Sequence, residues 1–574
     1  MTAGGDHRAG VGVDPTTLAV LRAALQQVAT EMDTTLVRSA FSPVISQMDD
    51  RASGLYDAAD GATIAQGPQS MPIFVAGMGY AVGRTVGLLR ERGRLDGLRD
   101  GDVYIFNDPY AGGTHAPDVK LLAPCLVDGE LFCWLATSGH WLDIGGSLPG
   151  SVVPDATECY EEGLRIPPVL LHRAGRECPD VADLIFGNIR APQQQRADLE
   201  AMLNGLRVGR RRLDELLARY GAGTVRAAIA QLRARAARRM RQIIAELPDG
   251  EYPFEDHLDD DGADGGPMLL RLVLRIAGDA MTFDFTGSAG PARGPMNLSR
   301  DTTAAAAFIA IKHLFPDLPV NGGALEPITF VIDDDSFLNA VRPAPVGGYL
   351  DCASRVITVV LGALGRCVPE RVPADWFGTS AVMSLAATGR DGRPVAIPLP
   401  AAGGMGALPD DDGLVNAPPP HGTAKYPPVE TMERRFPVRF ERIELTADSA
   451  GDGRHRGGLG NTYQITSLDP SVSISLIGDR ARFAPFGVHG GTSARALTVH
   501  LDVAGRRRHL DGAKVRHVRL GPGDGVTLRS PGGGGWGDPR HRRPAAVTAD
   551  LRDGYITVAR AQAVYGRRDP SEQE

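Results

Sequence analysis

The chain has 574 residues, far beyond what one hydrophobic core usually serves, so roughly two to four domains are expected. It is 43% hydrophobic and 23% charged with a net charge of −8, which suits a soluble globular protein and argues against nucleic-acid binding through bulk charge. Six cysteines without a C-x-x-C pair exclude a disulfide scaffold, and neither a signal peptide nor an uncharged apolar run of about 18 residues is visible; the expected compartment is the cytoplasm, with no membrane contact.

In chain order, residues 1–13 read as a disordered tail. Asp14-Pro15-Thr16 then starts a helix, with Asp14 as cap and Pro15 in the first turn. Leu18, Leu21, Leu25, Val28, Met32 and Leu36 follow at helical spacing, and Ser42-Pro43 ends the pattern. The runs SGLYDA, DVYIFND, VKLLAPCLV and LFCWLATSGH read as strands joined by turns. Between about 180 and 247 two amphipathic helices are expected, broken near Gly221. Their basic residues, Arg233 to Arg241 among them, suit a solvated or interface face. PMLLRLVLRI and AMTFDFTGS predict strands, and TAAAAFIAIKHLF and ASRVITVVLGALGRCV predict buried helices. From about 436 the pattern is β, closed by a short helix near Val558–Tyr565. The fold class is therefore a multidomain α/β protein (mixed α+β) with a β-rich C-terminal third. Its expected divisions are 14–250, an α/β domain with a helical segment; 251–435, a central α/β domain; and 436–574, a β-rich domain.

Two His-x-x-Asp segments stand out. His115 and Asp118 follow the Gly112-Gly113 turn in NDPYAGGTHAPD; His140 and Asp143 precede Gly145-Gly146 in SGHWLDIGG. Imidazole nitrogen and carboxylate oxygen are divalent-metal donors, so segments at adjacent strand ends could converge on one ion. Asp108 and Glu162 are further oxygen donors nearby in sequence. On the residues alone, turn-capping carboxylates with two hydrogen-bonded histidines are the commoner alternative. PGGGGWGDP, residues 531–539, lacks the Lys-Ser/Thr end of a phosphate loop, and no G-x-x-x-x-G-K-S/T occurs anywhere, so a turn or packing role is expected. Cys352, in GGYLDCASRV, reads as a buried thiol at a helix start, with a nucleophile as the alternative.

The blocks NDPYAGGTHAPDV, HWLDIGGSLPGSV, EEGLRIPP, PVNGGALEPI, ERVPADWFGT, DSAGDGRHRGGLG, FGVHGG and SPGGGGWGDP occur in one order along the chain. Together they resemble the hydantoinase B family, which includes the B half of 5-oxoprolinase, N-methylhydantoinase and caprolactamase B subunits, and subunits of acetone and acetophenone carboxylases. The resemblance runs from about 14 to 568. It implies a metal-bearing subunit that works on a small molecule in a hetero-oligomer with an A-type, ATP-binding partner. It also implies a divalent ion, Mn or Zn, held by His115, Asp118 and His140. The implied activity is ATP-dependent opening of a cyclic amide such as a hydantoin, oxoproline or lactam, with Asp143, Asp108 or Glu162 as candidate general base or added ligand. The alternatives are a ketone carboxylase subunit and a non-catalytic scaffold. This sequence departs from the family pattern at Trp141 and Phe74, where histidines are usual, at Asp50-Arg51-Ala52-Ser53, and at Gly347 to Ala353.

Overall fold

The computed structural model describes residues 12–566 apart from 390, 391 and 424; most of the expected N-terminal tail lies outside the described residues. The first helix is Pro15–Ser39, and the Asp14 carboxylate accepts from Thr16 N and Thr17 N. All six apolar residues of its predicted stripe are buried.

A seven-stranded antiparallel sheet follows, in the order Thr63–Gln66, Arg51–Asp57, Glu130–His140, Asp118–Val127, Val103–Phe106, Val169–Arg173, Arg176–Glu177. Successive side chains of a strand point to opposite faces, and here both faces are buried. Tyr104, Phe106, Leu122, Trp134 and Ala136 join a core that includes the helix Pro72–Glu91. Val103, Ile105, Leu121, Cys133 and Leu135 join a second core with the helices Pro15–Ser39 and Pro192–Tyr220. Double burial explains why these strands read as apolar runs rather than alternating ones. The long hairpin turns at Asp128-Gly129, both at positive φ, as a two-residue loop of this kind requires.

The expected helix pair is Pro192–Tyr220 and Ala222–Ala245, with Gly221 at the break. Their basic residues are partly engaged within the chain: Arg233 pairs with Asp60 and Glu326. The helix Pro72–Glu91 was not anticipated. It is long and apolar enough to cross a membrane by composition, yet Ile73, Phe74, Met78, Val82, Val86 and Leu89 are buried in the core.

A four-stranded sheet, Gly250–Leu258 to Ile328–Val331, packs against the helices Arg300–Leu314 and Tyr349–Cys367. A third sheet takes Val382–Thr388 and Pro394–Leu399 from before residue 436 and Ser473–Ile477 and Val515–Arg519 from after it. A fourth, five-stranded sheet spans 438–529, so the C-terminal third is β-rich as expected, with an added helix Pro544–Arg552. Arg355 and Arg480, both fully buried, form ion pairs with Asp256, Asp375 and Asp479 and lock the Tyr349–Cys367 helix to its surroundings.

The glycine run at 531–539 threads between other backbones. The N–H groups of Gly533, Gly534, Gly535, Trp536 and Gly537 donate to carbonyls of Gly458, Asp375, Thr492, His455 and Val488. None of these five is left for a phosphate, so the run has a packing role.

Candidate metal centre

The hairpin register decides the geometry. Asp118 opens one strand, His140 closes the next, and the two are direct cross-strand partners. His115 reaches them from the preceding turn, where Gly112 has φ 84° and a Cβ would strike the backbone of Ala81. One donor atom each of His115, Asp118 and His140 lies within 4.8 Å of the others. The rings of His115 and His140 are 5.1 Å apart.

A neighbouring strand adds a residue that the sequence reading did not nominate. Asp50 directly precedes the strand Arg51–Asp57, and its carbonyl accepts from His140 N at 3.2 Å. Its side chain lines one cavity together with His115, His140 and Tyr349. The only sequence signal was its place at the head of the run 50–53. Tyr349 comes from the start of the Tyr349–Cys367 helix, its ring 4.7 Å from that of His115. Tyr349 Oη donates to Asp118 Oδ2 at 3.3 Å, and Thr114 Oγ1 donates to the same oxygen.

The other Asp118 oxygen is free for a different task. His115 Nε2 and Asp118 Oδ1 are 3.2 Å apart, yet neither atom makes a hydrogen bond, and nor does His140 Nδ1 or Asp50 Oδ1. Buried polar atoms are rarely orphaned, because each costs about 1–3 kcal/mol. The three on His115, Asp118 and His140, residues whose donor atoms lie within 4.8 Å of one another, are explained together by a cation. Bonds of about 2.0–2.2 Å to nitrogen and oxygen place neighbouring ligands at roughly the spacing seen here, so the residues fit a divalent ion.

The electrostatics agree. Burial acts to raise the Asp118 carboxyl, but His115, His140 and Lys120 outweigh it and hold it well below the usual range, so it is ionised. Burial pulls His140 down to about 4, leaving a neutral imidazole with a free lone pair. Burial, and then the Asp118 charge, push the Asp50 carboxyl well up. Lys120, fully buried beside the Asp118 carbonyl, is lowered by burial to about 8.

Asp143, Asp108 and Glu162 do not line this cavity, and their oxygens are committed elsewhere. Asp143 accepts from Gly145 N, Gly150 N and Arg190, tying the second glycine turn. Asp108 caps Tyr110 N and pairs with Arg165 at 2.5 Å. Glu162 accepts from Val346 N and Gly347 N, anchoring the segment before Tyr349. Trp141 is buried and stacks on Phe186 at 5.9 Å. Phe74 lies 5.8 Å from Lys120 Nζ. Cys352 is fully buried, and burial first, then Asp351, raise its thiol, which disfavours a thiolate.

Because Tyr349 orients Asp118, Tyr349→Phe should weaken divalent-metal affinity by roughly 10- to 100-fold, the usual cost of losing an outer hydrogen bond to a ligand. Competition against a fluorescent chelator reads this directly. An unchanged affinity would mean that Thr114 alone orients the carboxylate.

A two-histidine, one-aspartate donor set beside a cavity, on a mixed α/β scaffold, is the class defined so far. The sequence profile of the Hydantoinase B/oxoprolinase family matches residues 14–539, and the chain belongs to that family. It is 32% identical to the beta chain of the caprolactamase of Pseudomonas jessenii over 96% of each chain. It is 29% identical to a putative D-/L-hydantoinase of Pseudomonas sp. (strain NS671), in its B component, over 96% of this chain and 95% of the relative. The crystal structure of the ATP-dependent caprolactamase from Pseudomonas jessenii superposes with a TM-score of 0.90 at 30% identity, covering 98% of both chains. A nucleotide-free acetone carboxylase gives 0.88 at 20% identity over 97% of this chain and 80% of the other, a likeness of fold.

Proposed function

We propose that the chain is the B-type component of an ATP-dependent enzyme that opens a cyclic amide: a hydantoin, an oxoproline or a lactam. One divalent ion, Mn or Zn, is held by His115, Asp118 and His140, with Asp50 facing the same space. ATP belongs to an A-type partner in a hetero-oligomer. The observation that carries this reading is the convergence of His115, Asp118 and His140, with donor atoms within 4.8 Å of one another and left without hydrogen-bond partners. The family membership and the relatives named as components of a hydantoinase and a caprolactamase support the choice of reaction.

Amide resonance makes the ring carbonyl a poor electrophile. Transfer of the ATP γ-phosphoryl group to the carbonyl oxygen would give an activated imidate-like ring, which water then opens. A divalent ion in such a site supplies Lewis acidity for the attacking or departing oxygen. Asp50, whose carboxyl burial and then the Asp118 charge push well up, is the group placed to hold and release a proton beside it. Asp143, Asp108 and Glu162 we assign to holding the turns that position the donors.

The test is turnover of the chain reconstituted with its ATP-binding partner. Hydantoin, 5-oxoproline and ε-caprolactam are supplied with ATP, with and without bicarbonate. Ring opening matched by ADP release and indifferent to bicarbonate is the expected result. ATP hydrolysis that requires both a ketone and bicarbonate would replace ring opening with carboxylation. No turnover from a complex with its metal bound would favour the scaffold alternative.

A further inference from the structure

The same cavity contains a second polar pair that the donor cluster does not use. Ser380 and His421 both line it, both are buried, and Ser380 Oγ lies 3.0 Å from His421 Nε2. The protons of this pair can be assigned by elimination. Ser354 Oγ donates its single proton to Leu350 O at 2.7 Å. It therefore meets His421 Nδ1, 3.4 Å away, as an acceptor, and Nδ1 carries the ring proton. Burial, with a smaller contribution from His313, holds the imidazole down at about 3, so it is neutral and Nε2 has a lone pair. Ser380 must then donate to Nε2. Its one proton is committed, and toward the cavity the oxygen offers only lone pairs.

The oxygen is also fixed in place. Asp351 accepts from Ser380 N at 2.9 Å and from Thr379 Oγ1 at 2.6 Å. Asp351 lies two residues beyond Tyr349 on the same helix, so one element positions both the Tyr349 ring beside His115 and the turn that presents Ser380. The ring of Trp376 meets His421 edge-on at 6.0 Å.

We propose that Ser380 Oγ accepts the ring N–H of the substrate, so that the site selects cyclic amides with a free N–H over N-alkylated ones. The assignment rests on the ring-opening reading. A secondary cyclic amide offers an N–H beside its carbonyl; an N-alkyl ring offers none, and leaves a buried acceptor unpaired. Sites built to bond a substrate N–H reject analogues that lack it far more strongly than apolar pockets reject a methylene. Ser380 is the residue that touches substrate, and His421 is a positioning residue that acts by holding the Ser380 proton.

The experiment is calorimetric titration of the full-length chain with matched pairs: ε-caprolactam and N-methylcaprolactam, and 2-pyrrolidinone and N-methyl-2-pyrrolidinone. The native chain should prefer each N–H ring by at least about tenfold, equivalent to about 1.4 kcal/mol. Ser380→Ala should bring the ratio close to one, and Ser380→Thr should keep it. His421→Ala should reduce it, and His421→Gln, whose amide oxygen can take the Ser380 proton, should restore it. The ratio is the informative quantity, because structural damage lowers both affinities together. Equal binding of both rings by the native chain, or a preference that survives Ser380→Ala, overturns this assignment and leaves ring opening standing. Binding of no ring at all overturns the Ser380 assignment, and turnover by the complex with the ATP-binding partner then decides ring opening separately.

Discussion

The purified chain should carry about one divalent transition-metal ion, and a His115→Ala/His140→Ala variant should retain less than about a tenth of that while staying folded. The reason lies in the donor atoms. His115 Nε2, Asp118 Oδ1, His140 Nδ1 and Asp50 Oδ1 are buried without hydrogen-bond partners. A neutral His140 and an ionised Asp118 are already in the protonation states that a metal requires. Removing both imidazoles leaves two carboxylates, one of them raised in pKa by burial and by the other. That pair is a poor site for a transition metal. Binding also stabilises the folded state, by about 2.7 kcal/mol at a free-metal level 100 times the dissociation constant. A chelator should therefore lower the melting temperature of the native chain by a few degrees and leave that of the variant where it was. Elemental mass spectrometry and differential scanning calorimetry read the two effects independently. If both proteins are equally empty after reconstitution with Mn or Zn, the two turns are structural and the metal reading is lost.

The half of this site that lies on one hairpin was legible before the structure. His115, Asp118 and His140 fall within 26 consecutive positions, and the strand-like runs between them imply that the chain returns on itself. On the residues alone, the pattern does not say which of the two similar motifs keeps its aspartate in the cluster; the family resemblance is what implied Asp118. Antiparallel pairing decides it: Asp118 and His140 are register partners, whereas Asp143 lies past the strand end in a turn that uses both its oxygens. Asp50 and Tyr349 were out of reach for another reason. They arrive from a different strand and from a helix 231 residues beyond Asp118, and no local pattern encodes such contacts. Ser380 and His421 belong to the same class. The first helix and the Gly221 break were readable because apolar spacing and a cap declare them locally. The helix Pro72–Glu91 was missed because its glycines, at 77, 79, 83 and 87, suggest loops. Two of them serve packing instead: a Cβ on Gly83 would collide with Asp60 O, and one on Gly79 would press on Thr63 Oγ1.

Gly533→Ala should be among the most damaging single substitutions in the chain, although it adds only one methyl group. Its Cβ would fall closer than 3.0 Å to the backbone of Met405 and Gly406. The obstacle is main chain rather than a flexible side chain, and it cannot rotate away. Gly533 N donates to Gly458 O, and Gly533 O accepts from Gly451 N at 2.8 Å, so the segment cannot shift without breaking bonds on both sides. The neighbours are equally constrained: a Cβ on Gly404, Gly457, Gly534 or Gly535 would also overlap another backbone. Ordinary overpacking costs about 1–3 kcal/mol because side chains and nearby backbone give way. Here several threaded segments would have to move together, and a loss above about 4 kcal/mol is expected. For a chain near the usual stability limit, that means insoluble expression or a melting point lowered by many degrees. Gly223→Ala is the matched control. It lies inside the Ala222–Ala245 helix with nothing within 4 Å of its Cβ, and should be neutral or stabilising by up to about 1 kcal/mol. Thermal unfolding of the two variants beside the native chain decides the matter. Similar melting points for all three would mean that the glycine-lined backbones are loosely packed and that the run at 531–539 is free to do something other than fill space.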